Sequence, residues 1–138
     1  MDSPANSIAP LFGRILMSLV FVFSGISKVL AFHAMTDMAH AKGMPFPALA
    51  IGGAAAIEIL GGLAVLSGFH ARIAAWILFA FLISTTLIFH NFWAQQGAAR
   101  VDNQAHFLKN LAIMGGLLLL ATFGAGSRSM DSRRSAKV

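Results

Sequence analysis

Charge is scarce in this chain. Only 11% of its 138 residues are charged and 57% are hydrophobic, whereas roughly a quarter of an average soluble domain is charged. A soluble fold of this size would have too few polar groups to cover its surface, so a soluble enzyme is excluded. Cysteine is absent, which rules out a disulfide, a thiolate metal site and a Cys-x-x-Cys redox pair. Any electron transfer would need a bound cofactor or a partner. Acidic residues are also few, five against ten Lys and Arg, for a net charge of +5. These bases sit at the ends of apolar runs and in a short tail, without interleaved aromatics, so they form no nucleic-acid surface. Bases flanking apolar spans instead follow the positive-inside rule.

The chain does have long apolar runs. A membrane span takes roughly 20 apolar residues, and four segments qualify, at about residues 10–32, 48–69, 71–93 and 107–125. The expected fold is an all-α, integral membrane bundle of four transmembrane helices, forming one domain over residues 1–138. The first span also has features of a secretory signal peptide: a basic residue, an apolar core and small residues from Ser24 to Ser27. Against that, Met1 to Ala9 carries no Lys or Arg, and the run continues through Leu30.

Turn chemistry separates the spans. Gly43-Met44-Pro45-Phe46-Pro47 cannot continue a helix, because each proline lacks an N–H and restricts the residue before it. Ser67-Gly68 allows a sharp reversal. Residues 95–104 are polar and read as a loop, and residues 127–138 as a mobile tail. An even number of spans puts both termini on one side. The tail bases Arg128, Arg133, Arg134 and Lys137, together with Arg72, predict that this side is the cytoplasm. Trp76 and Trp93 fall near opposite ends of the third span, as interfacial anchors do.

Every span carries a polar group, and in hydrocarbon such groups mark a functional site or a buried pairing. Arg14, Ser18, Gly25 and Lys28 share one face of the first helix, with the two cations roughly 21 Å apart at 1.5 Å per residue. Both cations have the alternative of snorkelling to the headgroups. Glu58 lies too deep for that, so it must pair with an Arg or Lys or take up a proton. Gly61 and Gly62 lie on its face and admit a neighbouring helix. Arg72, Trp76, Ile83, Thr86 and His90 form a stripe on the third span, and the fourth opens with His106, Lys109 and Asn110.

This topology places Lys28, His90, Lys109 and Asn110 in the outer half, Arg14, Arg72 and Asp131 in an inner polar cluster, and Glu58 between them. The excess of cations suits an anion or a quinone being reduced; it suits lipid phosphates at the interfaces as well. His33 and His90 are placed to meet at the outer end, yet no His pair has zinc-site spacing, and no metal is expected. Gly52-Gly53 and Gly115-Gly116 lie inside apolar helices and read as close-packing sites, not phosphate loops.

Several motifs, in this order and spacing, carry a resemblance to a known family. They are Gly13-Arg14-Ile15-Leu16, Phe23-Ser24-Gly25-Ile26-Ser27-Lys28, Gly43-Met44-Pro45 and Glu58-Ile59-Leu60-Gly61-Gly62 with Gly68. Then come His90-Asn91-Phe92-Trp93, His106-Phe107-Leu108-Lys109-Asn110-Leu111, and Gly124-Ala125-Gly126 through Ser129-Met130-Asp131. Over about residues 10–132 the chain resembles the DoxX family of small four-helix bacterial inner-membrane proteins.

The resemblance implies a link to redox and sulfur metabolism, since members of the family serve as membrane subunits or anchors of such systems. It assigns no catalytic residue. Three functions follow as expectations. The first is a membrane subunit or anchor of an oxidoreductase, not an enzyme on its own. It would bind a quinone and recruit soluble redox enzymes, with Glu58 managing a proton while Arg14, Lys28 and Lys109 hold oxygens. The second is a proton-coupled transporter, which would need a homodimer. The third is a structural protein whose buried charges are all internal bridges. Membrane lipids are partners in each case.

Overall fold

The computed structural model describes residues 8–136. The chain runs through α1 (Ala9–Leu30), α2 (Phe32–Ala41), α3 (Pro47–Ser67), α4 (Ala71–Phe89), a 3-10 turn (Phe92–Ala94), α5 (Gly97–Phe123) and α6 (Met130–Ser135). Among the described residues four helices, α1, α3, α4 with the turn after it, and α5, are long and apolar enough to cross a membrane. They alternate in direction, so both described ends of the chain lie at one end of the bundle, here the terminal end. The opposite end, with α2 and the α4–α5 connection, is the far end. The fold is all-α and belongs in a bilayer: Leu16, Phe23, Leu60, Leu119 and Phe123 are exposed around its outside, where only hydrocarbon is an acceptable neighbour.

Three segments differ from the expectations drawn from polarity. Residues 97–106 form the first turns of α5 rather than a loop. Their polarity means that they project beyond the hydrocarbon. Ala98, Ala99, Arg100, Gln104 and Ala105 are good helix formers, and a 27-residue helix spans roughly 40 Å, more than a core of about 30 Å. Similarly, residues after the first span form the short helix α2, whose Ala39 is buried. The tail folds back. Ser129 caps α6 by accepting from Ser132 N at 3.1 Å, and the segment is bonded to the bundle, as described below. Residues 137 and 138 lie outside the described residues.

The turns behave as their composition requires. Gly43 and Gly68 take positive φ of 73° and 69°. Gly68 also has no space for a side chain, because a Cβ there would come within 2.5 Å of Ser129 Cβ and 2.6 Å of Arg14 Nη1.

With no water to expel, membrane helices associate through close packing. The core is built from Phe21, Val65, Leu78 and Leu117 between small residues such as Ala74, Ala75 and Ala121. The pairing of α1 with α3 is the most extensive in the bundle, and α4 packs on both α3 and α5. Gly25 sets how closely α1 and α3 approach. A Cβ on it would lie 2.6 Å from Ile59 Cγ1 and 3.0 Å from Ala55 O, and neither atom is the free end of a side chain. Gly25→Ala is therefore expected to lower stability by about 1–3 kcal/mol, the usual range for overpacking. Gly53→Ala, where nothing lies within 4 Å, should be neutral or stabilising. Thermal unfolding of the two variants in one detergent compares them directly.

Candidate functional site

Glu58 is the group that sequence reasoning could not place at an interface, and its partner is Lys28. Lys28 Nζ lies 2.8 Å from Glu58 Oε2 and 3.0 Å from Oε1. Ser24 completes the group. Its hydroxyl donates to Glu58 Oε1 at 3.0 Å and accepts from Lys28 Nζ at 2.9 Å. Glu58 is only 5% exposed, and the Lys28 side chain retains 20%.

The local reason is helical geometry. Cα–Cβ bonds tilt toward a helix's N-terminus, so Lys28, in the last turn of α1, leans back toward the membrane centre rather than outward to the headgroups. Ser24, one turn below it, receives the ammonium. Gly25 brings α3 close enough for Glu58 to meet both.

This triad lies at the wall of a cavity of about 690 Å³ in the far half of the bundle. Phe21, Leu82 and Ile113 contribute apolar wall, while Lys28, Glu58 and Lys109 bring charge to it. A second polar group lies toward the far end. The His90 and His106 rings stack at 5.0 Å with 21° between planes. His90 Nδ1 is 3.3 Å from Asn103 Oδ1, and Lys109 Nζ is 3.1 Å from His106 Nδ1. Asp102 reaches His106 Nε2 at 3.8 Å. Asn110 is committed inside the protein, where its Nδ2 donates to Thr86 Oγ1 at 2.9 Å and ties α5 to α4.

Of the residues singled out in the sequence, Glu58, Lys28, His90, Lys109 and Asn110 thus line one cavity. The ring partner of His90 is His106 rather than His33, which is exposed on α2. Ser24 and Asn103 were missed. Ser24 had a readable signal, its position one turn before Lys28; Asn103 is legible only once α5 is known to begin at Gly97. The α4 stripe straddles the boundary between lipid and core: Trp76 and Ile83 are exposed and Thr86 is buried.

Arg14, Arg72 and Asp131 fall at the terminal end, away from the cavity, with separate tasks. Arg14 is 2% exposed. Its Nη1 donates to Leu66 O at 2.9 Å and Val65 O at 3.4 Å, and its Nη2 donates to Arg128 O. It thereby satisfies Leu66 O in the last turn of α3, where helix carbonyls run out of intrahelical donors, shares Val65 O with the Gly68 amide, and holds the tail. Asp131 accepts from the amides of His70 at 2.8 Å and Ala71 at 2.9 Å, capping α4, and its own amide donates to Gly68 O at 2.9 Å. Arg72 is exposed and lies against Gly124. Among the described residues no three His, Asp or Glu side chains converge as a metal would require.

A four-helix membrane bundle, closed by packing at its terminal half and holding an ion pair beside a cavity in its far half, defines a small multi-pass membrane protein with a polar-lined cavity. The DoxX family model matches residues 9–91, more than half of the chain, and the protein belongs to that family. The match includes Arg14, Ser24, Lys28, Glu58 and His90 and stops before α5. The chain is 32% identical to the inner membrane protein YphA of Escherichia coli over 94% of its own length and 92% of that protein's. It is 36% identical to the inner membrane protein YqjF of the same organism, over 91% and 92%. A shorter similarity, 30% identity over 56% of this chain and 25% of the other, links it to the ER-derived vesicles protein ERV29 of Saccharomyces cerevisiae. No solved structure matches the chain.

Proposed function

We propose that this protein is an inner-membrane subunit or anchor of a redox system, with both termini in the cytoplasm, and that its cavity binds the head group of a lipid-soluble quinone. The observation that supports this reading is the Ser24–Lys28–Glu58 triad at the wall of a largely apolar cavity of about 690 Å³. A lipid-soluble quinone has an apolar ring and tail and two carbonyl oxygens that accept hydrogen bonds. The cavity supplies apolar walls, the ammonium donors of Lys28 and Lys109, and two imidazoles. It runs from apolar walls at Phe21 and Leu82 to the polar first turns of α5, which suits a ligand with an apolar tail and a polar head group.

A bound quinone would supply a reversible acceptor for two electrons and two protons. The chain's residues do the rest. Lys28 and Lys109 orient the carbonyl oxygens and favour negative charge developing there. Glu58 keeps Lys28 in place and balances its charge while the site is empty. The stacked His90 and His106 rings line the cavity toward the far end. Electrons come from a soluble partner enzyme, because the chain has no cysteine; the basic terminal end offers that partner a docking surface. The names of the inner-membrane relatives and the excess of Arg at the terminal end support the location and orientation.

Lys109→Ala separates ligand binding from folding, since Lys109 is exposed and outside the core. A short-chain quinone titrated into the detergent-purified protein, followed by quenching of Trp fluorescence, should bind at least about tenfold more weakly to the variant, the loss of one hydrogen bond from a charged donor. Mass spectrometry of the wild-type extract should find quinone in stoichiometric amount. Equal affinity of the two proteins, or an extract with phospholipid alone, would remove the quinone reading.

A further inference from the structure

A second concavity lies on the lipid-facing side of the bundle, between α3 and α4, on a different face of α3 from Glu58. It measures about 390 Å³ and is lined by Ala56, Leu60, Gly61, Ala64, Ile73 and Ile77 among others, with Phe69 and His70 at its terminal end. Gly61 lets α3 pack closely on α4, where a Cβ would meet Leu78 at 2.8 Å, and Ala56 and Ala64 add only methyl groups to the groove wall. From Ala56 to the end of α3 the groove runs roughly 16 Å at 1.5 Å per residue. That is the depth of one leaflet of a hydrocarbon core about 30 Å thick.

The terminal end of this apolar groove carries a fixed cation. Arg134 Nη1 lies 3.0 Å from His70 Nε2, and the guanidinium sits 5.5 Å over the Phe69 ring. The Phe69 and His70 rings are themselves in edge contact at 4.5 Å. The nearby carboxylate, Asp131, is occupied by the amides of His70 and Ala71, so it leaves the Arg134 charge available. Arg128 and Arg133 are exposed at the same end. A planar guanidinium is suited to bidentate recognition of phosphate, and a basic site between helix ends is the usual setting for anionic headgroups.

We propose that this groove is a binding site for one anionic phospholipid, an acyl chain lying along α3 and α4 and the phosphodiester on Arg134 and His70. The site is independent of the quinone reading. It gives the tail a second role: α6 carries the cation that the groove needs, and Asp131 and Arg14 hold α6 where that cation meets the lipid.

Native mass spectrometry of delipidated protein tests it, with phosphatidylglycerol and phosphatidylcholine of identical acyl chains as probes. The wild type should retain one phosphatidylglycerol with at least a tenfold preference over phosphatidylcholine. Arg134→Ala, an exposed substitution, should erase the preference while leaving weak binding of both lipids. Ala56→Phe, which fills the groove from an exposed position, should remove binding of both. Equal retention of the two lipids by the wild type would overturn the proposal, as would a preference that survives Arg134→Ala. A third overturning result is dimerisation lost in Ala56→Phe with phosphatidylglycerol retention intact, which would make the groove a contact between copies of the chain.

Discussion

Glu58→Gln is expected to destabilise the protein by about 3 kcal/mol, the lower end of the range for removing one partner of a buried ion pair. The lower end applies because the Lys28 side chain keeps 20% exposure and still has the Ser24 hydroxyl at 2.9 Å. The penalty arises from Lys28. Its ammonium stays in low dielectric without a counter-charge, while the amide in place of the carboxylate accepts more weakly. The double variant Glu58→Leu with Lys28→Met removes both charges and should recover most of the loss, since apolar replacements of a buried pair are often neutral or stabilising. Chemical or thermal unfolding in detergent reads both. The double variant also separates the functional readings. If the pair merely fixes the bundle, the double variant keeps quinone binding and every cellular phenotype; if it orients a ligand, stability returns and binding does not. A single variant no less stable than the wild type would mean that the pair does not hold α1 to α3.

The second large effect is expected at the other end. Arg14→Ala should cost about 3–4 kcal/mol, as expected when a buried hydrogen-bonded charge is deleted and its acceptors are left unpaired. Leu66 O would lose its donor at the end of α3 and Val65 O would keep only the Gly68 amide at 3.2 Å, and the tail would lose the bond to Arg128 O. The distinctive consequence is release of the tail. Trypsin should cut after Arg128 and Arg133 in the variant under conditions where the wild type is resistant at these sites. Arg14→Lys should be nearly as damaging, because a single ammonium cannot reproduce the guanidinium's fork to separate segments. If Arg14→Ala left the proteolytic pattern unchanged, the tail would be held by the contacts of Asp131 and Arg134 with the start of α4 instead.

The two cations on one face of α1 illustrate what can be read in advance. Their shared stripe left each the choice of facing the bundle or snorkelling to the headgroups, and both face the bundle. The stripe did not say which one would meet Glu58. That choice depends on the register of α1 against α3, set by Gly25 opposite Ala55 and Glu58 and by Gly62 opposite Ser18 and Phe21. In that register Glu58 is level with Ser24 and Lys28, and Arg14 is level with the end of α3. The polar segments show a different limit. Apolarity reports depth in the membrane, so the first three spans match the helices within a few residues, whereas the fourth helix starts ten residues before its apolar run, at Gly97; residues 97–106 and 130–135 are helical but polar and gave no such signal. For the tail, the physics lies in contacts remote in sequence: Arg14 to Arg128, and Asp131 to His70 and Ala71.

By itself, then, the sequence determined the solvent, the number of spans and the turns at residues 43–47 and Gly68. Lack of charge leaves no alternative to a bilayer, and proline and positive-φ glycine have little choice of conformation. It also determined that Glu58 must either pair with a cation or take up a proton, because a carboxylate at that depth cannot snorkel to an interface. Only the tertiary structure decided that the partner is Lys28, that His90 and His106 share a cavity with it, and that Arg14 serves as the latch of a docked tail. Those outcomes rest on how closely two helices approach and on which carbonyls run out of intrahelical donors, and both are properties of packed helices rather than of any one segment.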